Sequence, residues 1–144
     1  MMLPFKSMKI NFATTKEKMR FSGTEGDWTD DGQGNYEVWV LKLSSFIFML
    51  SVLSHELIEI GWCWLHGVTA KEADAFDSIW YGKKDVVDEN IDYGIRKDCP
   101  YRGGHMWGIR MEQLVIFIFG GVFGFRKLWK EYGKACDKAI LEQP

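Results

Sequence analysis

Hydrophobic and polar positions change period along this chain, and the changes mark its elements. From Met8 to Phe12 they alternate, with Met8, Ile10 and Phe12 on one side and Lys9 and Asn11 on the other, which predicts a short strand. A second candidate strand covers Met19–Ser22. Tyr36–Leu43 alternates again, Tyr36, Val38 and Val40 facing one way and Glu37, Trp39 and Leu41 the other. Gly23–Asn35 is dense in turn formers, with Asp31-Gly32 as the hairpin turn. After Ser44-Ser45, either of which can cap a helix, the run from Phe46 is apolar nearly all round until Gly67 ends it. Thr69-Ala-Lys-Glu72 is a capping box opening a second helix, Ala70 to about Tyr81, with Ala73, Phe76 and Trp80 as its apolar side. Residues 83–103 are polar, hold Pro100 and predict an irregular loop, with a helical turn or two over 85–92. His105–Phe119 reads as a third helix and Gly120-Gly121 as a break. Phe125, Leu128, Trp129, Tyr132, Cys136 and Ile140 then line one face of a fourth.

The expected fold is α+β, one domain over 1–144. A small antiparallel sheet or hairpin in 8–43 packs on a bundle of about four helices in 44–142, the first helix central and buried. One feature of that helix breaks its apolar pattern. Ser51, His55, Glu59 and Cys63 fall at i, i+4, i+8 and i+12, a single polar stripe, with Glu56 one step round the cylinder. Carboxylates taken out of water are costly unless paired, hydrogen-bonded or metal-bound, so the stripe needs partners.

Composition narrows the classes. Hydrophobic residues make up 47% and aromatics 15% of 144 residues, which argues against disorder. A formal net charge of −2 supplies no electrostatic reason to expect nucleic acid. Three cysteines (Cys63, Cys99, Cys136) without short metal-ligand spacing, and an N-terminus without an apolar signal core, suggest reduced thiols and a cytoplasmic location. The charge-free stretches 43–54 and 113–125 fall short of the ~20 residues of a spanning helix, so no membrane is expected. Arg126, Lys127, Lys130, Lys134 and Lys138 read as a solvated face. A peptide or nucleotide substrate, a host protein and an oligomer all stay open as partners.

Three chemistries compete for the stripe. His55-Glu56-x-x-Glu59 resembles the His-Glu-x-x-His helix of zincin metallopeptidases, with Glu59 in place of the second histidine. That resemblance implies His55 and Glu59 as metal ligands and Glu56 as the base that activates water, with Asp77 and His105 completing the shell. Zinc is the expected divalent metal, and the carboxylate admits Mn or Mg. Glu56-x-x-Glu59, then 14 residues, then Asp74-x-x-Asp77 is similar instead to the paired acidic helices of all-α NTP pyrophosphatases. That likeness implies four carboxylates holding Mg²⁺ against a triphosphate. A plain structural reading pairs His55 with Glu59, bridges Glu56 and Glu59 to Arg110 or Arg102, and leaves Asp74 and Asp77 in solvent.

The motifs together resemble a group of small uncharacterised phage and prophage proteins. The residues are Gly26-Asp27-Trp28, Asp31-Gly32, His55-Glu56-Leu57-Ile58-Glu59, Ala73-Asp74-Ala75-Phe76-Asp77 and Pro100-Tyr101-Arg102-Gly103-Gly104-His105. The resemblance implies a mobile-element origin and one shared site, without an activity. The expectation is therefore a metal-dependent hydrolase with ligands His55, Glu59, Asp77 and His105 and with Glu56 as general base. Asp74 and Glu112 are supporting or alternate ligands, and Arg110 a substrate contact or charge partner. The alternatives are the Mg-dependent nucleotide hydrolase and a non-enzymatic phage protein that binds a host partner.

Overall fold

The computed structural model describes residues 5–21, 23–80 and 92–141. Three strands, β1 (Ser7–Thr14), β2 (Gly26–Asp30) and β3 (Asn35–Leu41), precede three helices, α1 (Phe46–His66), α2 (Ala70–Trp80) and α3 (Arg102–Leu141). The fold is α+β, with about three helices rather than four. The expected third and fourth helices run as one element that changes course at Gly121, whose φ of 63° and ψ of −178° no helix accommodates.

The sheet has the order β1-β3-β2. β2 and β3 form the expected antiparallel hairpin. Its turn is held by Asp31, whose Oδ1 accepts from the backbone N–H of Gln33 at 2.7 Å, with Gly32 and Gly34 at positive φ. β1 instead pairs with β3 in parallel, Ser7 opposite Asn35 and Asn11 opposite Trp39, so the sheet is mixed rather than antiparallel. Alternation specifies which face of a strand is buried and leaves the direction of its neighbour undetermined. The expected strand at Met19–Ser22 is absent over the described residues 19–21, and the hairpin's first strand lies later, at Gly26–Asp30.

α1 starts where expected. Ser45 Oγ accepts from the N–H of Ile47 at 3.2 Å, and Gly67 closes the helix in the left-handed conformation. The capping box of α2 also forms, with Glu72 Oε2 accepting from the Thr69 N–H at 2.9 Å. α1 contacts β2, β3 and α3 and is central, but it is not buried all round. Its buried face carries Ser51, His55, Glu56, Glu59 and Cys63 beside Phe48, Val52 and Ile60, while Phe46, Leu57 and Leu65 are exposed. The polar stripe thus faces inward. Val38 and Val40 of the sheet, Phe76 of α2 and Ile116 and Tyr132 of α3 complete the core around it.

Between α2 and α3, residues 92–101 fold over the site. Asp92 accepts from the Gly94 N–H at 3.0 Å and starts a single 3-10 turn, Tyr93–Ile95. Most of the expected helical turn over 85–92 lies outside the described residues, as does much of the loop assigned to 83–103.

Candidate metal centre

Three side chains from two helices converge. His55 and Glu59 lie one turn apart on α1, and His105 projects from the first turn of α3, which runs alongside. His55 Nε2 is 3.0 Å from His105 Nδ1 and 3.3 Å from Glu59 Oε2, and His105 Nδ1 is 3.2 Å from the same oxygen. A metal with ligand bonds of ~2.1 Å sets neighbouring donors about 3.0 Å apart in an octahedron and about 3.4 Å in a tetrahedron. The triangle has the edges of a coordination polyhedron, and His55, Glu59 and His105 could hold a metal ion.

The outward atoms decide which nitrogens point in. His55 Nδ1 lies 2.5 Å from Glu112 Oε1, and His105 Nε2 lies 2.9 Å from Asp92 Oδ2. A carboxylate accepts, so each imidazole places its N–H there and turns its lone pair toward the other ring. Trp28 Nε1 donates to Glu59 Oε1 at 2.8 Å and leaves Oε2 for the centre. Three electron-rich atoms at 3.0–3.3 Å repel unless positive charge lies among them. Carboxylate-anchored imidazoles are the usual support of metal-binding histidines.

Without metal, protons supply that charge. Burial opposes a charged His55, but hydrogen bonds to Glu112 and Glu59 outweigh it and hold its pKa well above the ordinary value. Burial likewise opposes a charged His105, and Asp92 and Glu59 outweigh it to raise its pKa to about 9. Burial would raise Glu59, yet the two histidines bring it down to about 2. Glu56 behaves in the opposite sense: burial first, then the charge on Glu59, pushes its pKa well up. Among the described residues no hydrogen-bond donor meets its carboxyl, and no lysine or arginine pairs with Glu56, Glu59 or Glu112.

Four glycines let the backbone come this close. A methyl at Gly108 would fall 2.6 Å from His55 Cδ2, and one at Gly94 would fall 2.6 Å from His105 Cδ2. One at Gly104 would meet the Glu59 backbone at 3.2 Å, and one at Gly26 would strike Glu56 Oε1 at 2.3 Å. The site opens into a cavity of 450 Å³ whose lining adds Glu25, Asp27, Asp77 and Tyr101 and includes no lysine or arginine among the described residues.

The remaining sequence candidates lie as follows. Asp77 lines the cavity but stands outside the three-residue group; its Oδ1 accepts from the Tyr101 hydroxyl. Asp74 pairs with Arg20 at 2.6 Å. Glu112 anchors His55. Arg110 is exposed, stacked 4.7 Å over Trp107, beside a separate apolar groove. Arg102 donates to the Ile95 carbonyl at 2.8 Å. Of the plain structural reading, the His55–Glu59 pair is made, whereas the bridges from Glu56 and Glu59 to Arg110 or Arg102 are not found among the described residues. Cys63 is buried and its thiol pushed up by that burial, which makes it unreactive. Exposed His66 stacks on Trp62, away from the centre.

Sequence reasoning missed Asp92, the tie from Trp28 and the four glycines. Asp92-x-Gly94 carries a turn signal, and Gly104 and Gly108 at i, i+4 mark a smooth helix face, but neither names what it touches. Comparison with family profiles, curated proteins and solved structures returned no match, so the geometry alone carries the functional reading.

Proposed function

We propose that this chain is a metal-dependent hydrolase in which His55, Glu59 and His105 hold zinc and Glu56 is the general base. The observation that carries the reading is the pair of inward-turned imidazole lone pairs, each fixed from behind by its own carboxylate. A zinc ion bound there would polarise a substrate carbonyl and make water acidic near neutral pH. Glu56, following His55 on the buried face of α1, lines the same cavity, and no lysine or arginine among the described residues pairs with it. A carboxyl of raised pKa is suited to take a proton from water and return it to a leaving group. With a metal on their inner nitrogens His55 and His105 would stay neutral, their outer N–H groups donating to Glu112 and Asp92.

The cavity favours a neutral or cationic substrate over a phosphate. The nucleotide reading needs four carboxylates on one metal and a basic cradle, whereas Asp74 is held by Arg20 and the described lining is acidic. A peptide fits the charge. The free edge of β2 lies beside the site, although the Arg20 guanidinium occupies its Trp28 carbonyl at 2.7 Å, so strand-like docking there requires Arg20 to move.

Metal analysis together with Glu56→Gln tests the proposal. Wild type purified without chelator is expected to carry one zinc per chain and His55→Ala none. Glu56→Gln is expected to keep the metal while hydrolysis of a casein or peptide-library substrate falls by about 10²–10⁴-fold. A wild type that takes up no zinc on titration would sink the reading. A Glu56→Gln variant with full activity would remove Glu56 from its role.

A further inference from the structure

Two helices, α1 and α3, are by length and composition apolar enough to cross a membrane, and they differ in cover. In α1 44% of the most apolar 18-residue stretch is buried, as in a core helix; in α3 only 17% is. The exposure concentrates where α3 changes course. Gly121 stops the helix, an added carbon on Gly120 would lie 3.2 Å from Phe125 Cα, and the Phe117 and Phe125 rings lie 6.0 Å apart. Such closeness between residues five and eight apart means that the second segment turns back. The reversal forms a knuckle with Phe119 and Val122 exposed and Phe123 fully so, at 103%.

We propose that this knuckle docks the protein on an anionic phospholipid surface. Phe117, Ile118 and Phe119 are consecutive and all exposed, and residues 100° apart project round more than half the cylinder. A protein partner covers a stripe of a helix, whereas lipid takes apolar groups on every side. Residues 113–125 carry no charge, and the next turns present exposed Arg126, Lys127 and Lys130. Apolar groups at the tip and cations immediately behind them match the acyl and headgroup layers of an anionic leaflet. The 13 uncharged residues would extend about 20 Å as straight helix, less than the ~30 Å hydrocarbon core, and the turn at Gly121 shortens them further. The knuckle therefore dips into one leaflet without spanning. This departs from the expectation of no membrane contact drawn from stretch length, which measures spanning alone.

Vesicle flotation tests the proposal, with phosphatidylcholine alone and with an equimolar phosphatidylcholine–phosphatidylglycerol mixture. Wild type is expected to float with the anionic vesicles and at least about tenfold less with the neutral ones. Phe123→Asp is expected to lower binding to anionic vesicles by at least about tenfold. Because Phe123 has no cover to lose, circular dichroism and metal content of that variant should match wild type. Arg126→Glu with Lys127→Glu is expected to abolish the preference for the anionic mixture. Wild type that floats with neither vesicle overturns the proposal, as does Phe123→Asp floating like wild type. So does a wild-type dimer that ignores vesicles and is dissolved by Phe123→Asp.

Discussion

Gly108→Ala separates a site assembled by close backbone approach from an ordinary helix contact. In an unconstrained helix interior the change stabilises, because alanine exceeds glycine in helix propensity by about 1 kcal/mol. Gly133, also on α3, has nothing within 4 Å of an added carbon and serves as the control. Gly133→Ala should raise the midpoint by about 3 °C in a chain of this size. At Gly108 the added carbon would lie 2.6 Å from His55 Cδ2, 2.7 Å from Cγ and 2.8 Å from Nε2. Carbon contacts settle near 3.5–4.0 Å, so the ring or the helix has to give by about 1 Å. The ring is held at Nδ1 by Glu112, and its other nitrogen is in the triangle. Overpacking of this kind costs about 1–3 kcal/mol, which turns the expected gain into a net loss of up to about 2 kcal/mol. Metal sites tolerate ~0.2 Å in ligand distance, so zinc affinity should fall by at least about 100-fold. Calorimetric melting and a zinc competition titration read the two effects separately. If Gly108→Ala is stabilised as Gly133→Ala is, and binds zinc like wild type, the packing described for His55 is wrong.

Two further outcomes follow from the same geometry. Glu112→Gln and Asp92→Asn should each weaken zinc binding by about 10–100-fold while leaving the three ligands in place, read by competition titration; unchanged affinity in both would mean that the carboxylates do not orient the imidazoles. The metal-free chain should lose stability as pH rises. His105 has a folded pKa of about 9 against an ordinary 6.5, so its contribution is complete below 6.5 and lost as pH climbs through 9, and the upward shift of His55 acts in the same direction. Saturating zinc replaces those protons and should flatten the decline across pH 6.5–9, measured as melting midpoint with and without metal. A metal-free midpoint that rises through this window contradicts the reading.

Local chemistry was legible in the sequence because its causes are local. Ser45, Gly67 and the Thr69–Glu72 box satisfy backbone groups within a turn of themselves, so the ends of α1 and the start of α2 lie where the residues say. Gly120-Gly121 marked the break in α3 for the same reason. The stripe Ser51, His55, Glu59, Cys63 followed from helical periodicity, and its need for partners from the cost of buried charge. Which partners arrived was not legible. Asp92 reaches His105 from 13 residues away, and Glu112 reaches His55 from 57 away. Trp28 reaches Glu59 from a strand. Asp77, equally acidic and equally spaced, was claimed by the Tyr101 hydroxyl. The parallel pairing of β1 depended likewise on how the chain crossed between strands, since alternation carries no direction. Short-range hydrogen bonding and periodicity determined the elements and the atoms that could react. Close packing of α3 on α1 through Gly104 and Gly108 decided which of those atoms meet.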